Sequence, residues 1–510
     1  MAPEPRVVVR YACPEDAALL LKWRNEPWIV ESGASRRTVS EDEHRAWFAA
    51  TLDRTVREVF LIEVDAVPAG MVRYDLPTPG EAEISIFLMP AYWSRGFGSE
   101  VFWRTASDLC VRRRLRRIVA RVLAENSKSQ RFFARLGFRH LDTAASSGLL
   151  EYALDVPVVP HSRPWIAGDE LASVGQVLNS RMLAAGPVTR ELESRWCTLT
   201  GAAAAAAVGS GLGALRLTLV AMGIGPGDDV VIPAYSCVAL PNAALAVGAT
   251  PVLADVAPDR WTLRVDDVGR RITSRTKAIV AVHLFGTAAD MVGLAALGIP
   301  VIENCTHGVG SFGDGTPFGS KGAANMASFY ATKMIGAGSG GIVGSRDVAL
   351  VERIRRARDY DDQPPDGRRL NDKTTDIASA IAVGMLDRLP GITARRRALA
   401  AGYDRLLQPL VGQSLIALPE DVTGRTWYRY AVRLLRHRAS SLVDKITTLG
   451  VRAEQPVWDL RGTTLWRNGL GGTDLAFDTL VSLPLYPDLT AFEQRMVVTA
   501  FARALEDDRL

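Results

Sequence analysis

Beyond residue 165 the sequence alternates helical stretches with short apolar runs at Asp229 to Ile232, Pro251 to Ala254, Ala278 to Val282 and Pro300 to Glu303. That alternation is the signature of a mainly parallel sheet wrapped by helices, since each parallel neighbour needs a crossover and both sheet faces are then buried. Ligands of such sheets bind at the carboxyl ends of the strands. The residues just after each run are therefore the place to look for a site.

The richest such place follows a further apolar run, Met326 to Tyr330. From Ser328 to Gly341 the chain reads Ser-Phe-Tyr-Ala-Thr-Lys-Met-Ile-Gly-Ala-Gly-Ser-Gly-Gly. A strand delivers one lysine, Lys333, onto a loop whose four glycines let backbone pass close to a bound group. A lysine amine in a partly desolvated pocket can condense with an aldehyde, and Ser328 offers a hydroxyl to a phosphate. Pyridoxal phosphate (PLP) needs both. Upstream, Ser210-Gly211-Leu212-Gly213 opens a helix, where backbone N–H groups can hold a phosphate.

The first 155 residues form a different α/β pattern. Val7 to Arg10 reads as a strand and Pro14 to Asn25 as a helix, and a second helical stretch carries Glu43, His44, Trp47 and Phe48. Strands at Val59 to Val64, Ala69 to Tyr74 and Ala82 to Leu88 lead into Tyr92-Trp93-Ser94-Arg95-Gly96-Phe97-Gly98-Ser99-Glu100 and another helix. Strand, glycine loop and helix in that order gather backbone N–H groups at a helix N-terminus, a ready site for a pyrophosphate. Between the two patterns lie Pro157, Pro160 and Pro164, which mark the linker.

At 510 residues the chain exceeds one ordinary core, and the usual domain size implies roughly two to four domains. With 60 basic and 56 acidic residues the formal charge is +4, so neither a nucleic acid nor a membrane surface is called for. The arginine-rich run Arg112 to Arg117 reads as the wet face of a helix, part of which a CoA phosphate could use. Five scattered cysteines, at 13, 110, 197, 237 and 305, lack metal-ligand spacing, and they read as reduced thiols with no metal site. No signal pattern opens the chain and no long apolar window interrupts it, so a cytoplasmic location is expected.

The part from about Pro160 onward resembles the DegT-type sugar aminotransferases, a branch of the fold-type I PLP enzymes. The resemblance runs through Arg163-Pro164, Gly186-Pro187, Gly211 to Leu215, Gly223 to Asp228, His283 to Gly286, Val301 to Glu303, Ser328 to Tyr330 and Leu483 to Pro487. It implies that Lys333 is the Schiff-base lysine and that Gly211, Leu212, Gly213 and Ser328 hold the phosphate. It places His307 near the ring hydroxyl and Asn371 in the cofactor site of a neighbouring subunit, hence a homodimer. The chain departs from the family at several of these positions. Asn304 stands where an acidic residue pairs with the pyridine nitrogen, and Glu303 cannot replace it because successive strand side chains face opposite ways. Leu212 replaces a threonine, and Asp372 and Lys373 replace tyrosine and arginine. Cys237 stands where an aromatic ring stacks on the cofactor, with Tyr235 as a nearby substitute.

The front part resembles the GNAT N-acetyltransferases through Trp93 to Glu100 and through Glu125-Asn126-Ser127-Lys128-Ser129 followed by Phe133, Leu136, Gly137 and Phe138. The stretch Trp23-Arg24-Asn25 with His44 and Trp47-Phe48 is similar to GNAT enzymes that acetylate amino-sugar nucleotides. The resemblance implies acetyl-CoA as cosubstrate, with its pyrophosphate at Arg95, Gly96, Phe97, Gly98 and Ser99 and with Asn126 and Ser129 flanking it. Phe133 stands where a tyrosine often protonates the leaving thiolate. Acetyl transfer needs an aligned amine and a base. Glu83 is the first choice and His44 the second, against the alternatives of a solvated strand carboxylate and a satisfied helix histidine.

The expected fold is thus α/β throughout: a GNAT domain over residues 1–155, a linker at 156–164, a large PLP-binding domain at 165–390 and a small α+β domain at 391–510. The expected function is bifunctional. A keto group on a nucleotide-linked deoxysugar would be aminated with L-glutamate, and the amine then acetylated. Fusion would raise the effective concentration of the first product at the second site. Two alternatives stay open for the second module: other PLP chemistry, such as elimination or acyl condensation, or a degenerate dimer scaffold. For the first module the alternative acceptors are an amino acid or a protein N-terminus.

Overall fold

The computed structural model describes residues 5–33, 35–141, 148–360 and 369–507. Backbone contacts gather the chain into two compact units: the chain up to Val159 together with Thr448–Val451 and Thr490–Arg503, and the remainder.

The first unit is built on one seven-stranded sheet. Its strands are β1 (Val7–Tyr11), β2 (Arg57–Val64), β3 (Val67–Thr78), β4 (Glu81–Leu88), β5 (Arg117–Leu123), β6 (Arg139–Leu141) and β7 (Leu149–Asp155), in spatial order β1-β2-β3-β4-β5-β7-β6. The β-branched and aromatic run Val59, Phe60, Leu61 and Ile62 is buried and drives the centre of the sheet. β4 pairs with β5 in parallel over Glu81–Glu83 against Arg117–Val119. Past Glu83 that edge of β4 has no strand partner among the described residues. The helix predicted over Pro14 to Asn25 divides into a 3-10 turn, Pro14–Asp16, and the helix Ala17–Arg24. The Asp16 carboxylate causes the break by taking the Cys13 N–H at 2.8 Å and the Arg10 guanidinium at 2.7 Å. Part of the arginine run is structural. Arg112 Nη1 and Arg113 Nε donate at 2.9 and 3.0 Å to Glu58, which is fully buried. Burial alone would raise the Glu58 pKa, but the two guanidinium groups hold it below the usual range.

The second unit holds the predicted sheet, with strands β8 (Ala204–Val208), β9 (Asp229–Pro233), β10 (Thr250–Ala254), β11 (Thr276–Val282) and β12 (Val301–Asn304). A small hairpin, β13 (Phe312–Gly313) and β14 (Thr316–Pro317), precedes β15 (Ala324–Ser328) and β16 (Gly341–Ser345). The order is β10-β9-β11-β12-β15-β16-β8, with β16 antiparallel to both neighbours. The alanine run Ala202 to Ala207, which from sequence reads as packed helix or strand edge, lies mostly in β8 and so at a sheet edge. A three-stranded antiparallel sheet, β17 (Ile416–Ala417), β18 (Tyr430–Leu434) and β19 (Leu480–Leu483), lies within the last hundred residues. Among the described residues no single helix is long and apolar enough to cross a membrane.

Candidate active sites

In the second unit the carboxyl ends of β12 and β15 and the start of the helix Gly211–Ala221 open onto one chamber, lined by Lys333, His307, Ser328, Asn304, Cys237 and Leu212 among others. Lys333 is carried on a loop folded back on itself. Phe329 N–H donates to Gly340 O, Ala337 N–H to Phe329 O and Lys333 N–H to Tyr330 O, at 2.8–2.9 Å. Met334 and Ile335 anchor the loop in the core. The lysine amine lies 3.2 Å from His307 Nε2 and 3.2 Å from the Tyr428 hydroxyl.

These contacts fix the state of the neighbouring rings. Burial first, then the positive charges of Lys333 and Arg429, push the His307 pKa well below its ordinary value, so the ring is neutral. With the amine donating to Nε2, the ring proton sits on Nδ1, which is buried and has no partner among the described residues. The oxygen of a bound group would satisfy it. His307 is stacked between Phe285 and Tyr428, at ring separations of 5.9 and 4.2 Å. Burial would raise the Tyr428 pKa, but Lys333 and Arg429 reverse the shift and lower it. Sequence reasoning missed Tyr428, which lies 95 residues from the lysine. It also missed the cavity beside it, about 170 Å³, lined by His161, Ser162, Thr332, Arg429 and Glu454.

The phosphate end of the chamber fits its expected ligand. Ser210 caps the helix, accepting from Gly213 N–H at 3.0 Å, so the cradle is left with the Gly211 and Leu212 N–H groups. Gly211 is required there: a Cβ would lie 2.5 Å from Ser328 Cβ. Asn371 is exposed and holds no position in this chamber. Asp372 lies behind the cradle and pairs with Arg216 at 2.6 Å.

At the other end two expectations part. Cys237 does line the chamber. Tyr235 does not substitute for a stacking ring: it is buried in the core, edge-on to Phe477 at 5.0 Å, because it leaves β9 on the side that faces the apolar interior. Glu303 points away from Asn304 and is fully engaged. It accepts from His283 Nε2 at 3.0 Å, from Gly319 and Lys321 N–H at 2.9 and 2.6 Å, and from Gly322 N–H. His283, Glu303 and Cys305 bring their donor atoms within 4.8 Å of one another, but a carboxylate so bonded is a strut.

In the first unit Gly96, at φ 85°, turns the chain into the helix Phe97–Arg113 in a left-handed conformation that glycine adopts without strain. Arg95 lies over the Phe97 ring, and Gly98 faces Phe132 at the start of the same helix. Ser99 N–H is taken by Gly96 O at 3.1 Å, leaving the Phe97 and Gly98 N–H groups for an anion. Asn126 caps the helix Ser127–Arg135 by accepting from Ser129 N–H at 3.1 Å, a local structural role. Glu83 is the last residue of the β4–β5 pairing, at the point where the strands part, and its carboxylate meets Arg121, which also pairs with Glu151 at 3.2 Å. His44 is a core histidine. It is buried, its Nε2 lies 2.9 Å from Ala17 O, and burial lowers its pKa.

A lysine on a glycine-bounded loop, a capped helix N-terminus and a neutral histidine at the strand ends of a mainly parallel sheet define the class of PLP enzymes built on such a sheet. Residues 164–502 match the DegT/DnrJ/EryC1/StrS aminotransferase family, and the chain belongs to it. Residues 6–139 match the acetyltransferase (GNAT) domain. Among solved structures, the aminotransferase TlmJ from Streptoalloteichus hindustanus is 28% identical, covering 69% of this chain and 100% of its own, with a TM-score of 0.64. DesI, solved in the presence of its TDP-sugar product, is 26% identical over 70% of this chain and 95% of its own, at 0.65. A Streptococcus pneumoniae protein solved in its PMP-form shares the fold at 23% identity over 68% of this chain and 98% of its own, at 0.64. The chain is an enzyme, with PLP the cofactor of its second module and acetyl-CoA the cosubstrate of its first.

Proposed function

We propose that the second module aminates a keto group on a nucleotide-linked deoxysugar with L-glutamate, and that the first transfers acetyl from acetyl-CoA to the amine. The observation that carries the reading is the Lys333 amine held by two buried aromatic side chains beside a phosphate cradle. The likeness to DesI supports a sugar nucleotide as acceptor. PLP supplies an aldehyde for amine exchange and a ring that draws off electrons. The protein does the rest. The Gly211 and Leu212 N–H groups and the Ser328 hydroxyl would orient the phosphate, and the chamber's apolar walls exclude water. Lys333 would carry the proton between the substrate carbon and the cofactor side, with Tyr428 and neutral His307 fixing its amine between transfers. Asn371, exposed, would reach the partner subunit's site in a homodimer. The working division is 1–155 acetyltransferase, 156–164 linker, 165–390 large PLP domain and 391–510 small domain.

In the acetyltransferase Glu83 would take the proton of the acceptor amine where β4 and β5 separate. Asn304 also favours a second reading of the other module, PLP chemistry other than transamination. The test is direct. Purified protein with PLP is incubated with L-glutamate, and then with a TDP-linked keto-deoxysugar and acetyl-CoA. Oxoglutarate formation followed by CoA thiol release supports the proposal. A cofactor spectrum that glutamate leaves unchanged favours the second reading.

A further inference from the structure

The geometry points to Asn304 as a hydrogen-bond donor that holds the cofactor's ring nitrogen in its unprotonated form. The inference rests on the reading of Lys333 as the cofactor lysine.

Asn304 ends β12, and its side chain lines the chamber with Lys333 and Ser328. An asparagine amide has one accepting and one donating end, and its neighbours decide which way it faces. Here the Thr306 backbone N–H donates to Asn304 Oδ1 at 3.1 Å. A backbone N–H can only donate, so the oxygen must face it. Nδ2 is then the end offered to the chamber, and none of the hydrogen bonds among the described residues engages it. An N–H₂ group can serve a neutral pyridine nitrogen as donor. Against a pyridinium N–H it would set donor against donor.

Three further observations agree. None of the described residues that line the chamber carries a carboxylate. The positions paired with Asn304 on the flanking strands are Val282 and Met326, which are buried and share its face of the sheet. A pyridinium there would lie among apolar side chains without a counter-charge, and burial disfavours the charged form of any group so placed. Glu303, the nearest carboxylate in the sequence, is held on the opposite face by His283 and three backbone N–H groups. The consequence is chemical. A neutral ring would draw less negative charge from the substrate carbon, so Lys333 would have to remove and return the proton nearly in step.

The experiment loads the full-length protein with PLP labelled with 15N in the ring and records the nitrogen resonance across neutral pH. Borohydride reduction and peptide mass mapping of the same sample show whether the label is attached to Lys333. The expected result is a pyridoxyl mark on Lys333 and a resonance at the unprotonated pyridine position that pH does not move. Asn304→Asp is expected to carry it to the pyridinium position. A marked Lys333 with a pyridinium resonance in the unsubstituted protein overturns the inference and leaves the PLP reading intact. No mark on Lys333 overturns both. The unsubstituted protein decides the matter even if the variant fails to fold.

Discussion

Replacing Tyr428 with phenylalanine removes one oxygen and little else. The ring is buried and stacked on His307 at 4.2 Å, so its packing survives. What is lost is the acceptor 3.2 Å from the Lys333 amine. Hydrogen bonds to charged groups contribute ~1.5–3 kcal/mol, and each ~1.4 kcal/mol on a barrier is a factor of ten. If the bond positions the amine for proton transfer, Tyr428→Phe slows the glutamate half-reaction ~10- to 100-fold, with cofactor binding nearly unchanged. Single-turnover absorbance of the PLP-loaded protein mixed with L-glutamate reads the rate. A borohydride-trapped sample reads occupancy of Lys333. Because Lys333 and Arg429 hold the Tyr428 pKa below its ordinary value against burial, the hydroxyl also titrates earlier than a free phenol. The alkaline limb of the rate profile should therefore move in the variant. His307, neutral through burial and the same two charges, supplies no acid limb. A variant rate within about twofold of the parent, with Lys333 still marked, would refute the positioning role.

Gly211→Ala would place a Cβ 2.5 Å from Ser328 Cβ and 3.0 Å from its hydroxyl oxygen, and overpacking of this kind costs ~1–3 kcal/mol. PLP titration should show a Kd raised ~10-fold or more, since the cradle must open to admit the methyl. Asp376 caps the helix Pro187–Thr200, accepting from Gly186, Val188 and Thr189 N–H at 2.8–3.2 Å and from the Thr189 hydroxyl at 2.6 Å. Burial would raise its pKa, but these bonds lower it below the unperturbed 3.8. A depressed carboxylate stabilises the fold above its unfolded pKa and loses that contribution as pH falls through the folded value. Asp376→Asn should therefore cost ~1–3 kcal/mol in urea unfolding at neutral pH, with the gap to the parent closing at acid pH. A constant gap would contradict the linkage. Glu83→Gln should lower acetyl transfer ~10²- to 10⁴-fold if Glu83 is the base. An activity change of only a few-fold would make the Arg121 pair purely structural.

The large sheet is legible in the sequence because its strands are short, apolar and bounded by turn residues, and each predicted run agrees with its strand to within two residues at either end, although the run Met326 to Tyr330 leaves the strand after Ser328. Lys333 is legible for a related reason, since glycine is abundant only where backbone must turn or approach something closely. The alanine run is different. Alanine favours helix, yet Ala204–Val208 is a strand, because pairing with Gly341–Ser345 outweighs a propensity of a few tenths of a kcal/mol per residue, about the scale of such preferences. Tyr428 reaches the lysine, and Arg429 the cavity beside it, through closure of the whole second unit, and no local pattern encodes that. His44 and Tyr235 show the converse. Each has the residue type a site could use, and each is turned into the core by packing that only the assembled fold reveals.

The departures from the family do not fall evenly over the chamber. Lys333, the tether under the proposed function, is in place with the serine beside the cradle, the capped helix and the neutral histidine. Leu212 departs at the cradle, where its backbone N–H would still serve the phosphate, and the other changes in the chamber touch side chains that would hold the ring: Cys237 where an aromatic would stack, and Asn304 where an acid would pair. Decay of an unused site would show the opposite preference, because a half-buried lysine amine beside a buried histidine nitrogen with no partner among the described residues is costly to retain without a ligand. An attachment kept beside an altered ring environment is what selection for a changed electronic demand would leave. If that is so, Asn304→Asp should bring ring protonation without strengthening attachment at Lys333, and PLP titration of the variant beside its nitrogen spectrum separates the two. An Asn304→Asp variant that bound PLP much more tightly would instead mark Asn304 as a plain loss of affinity.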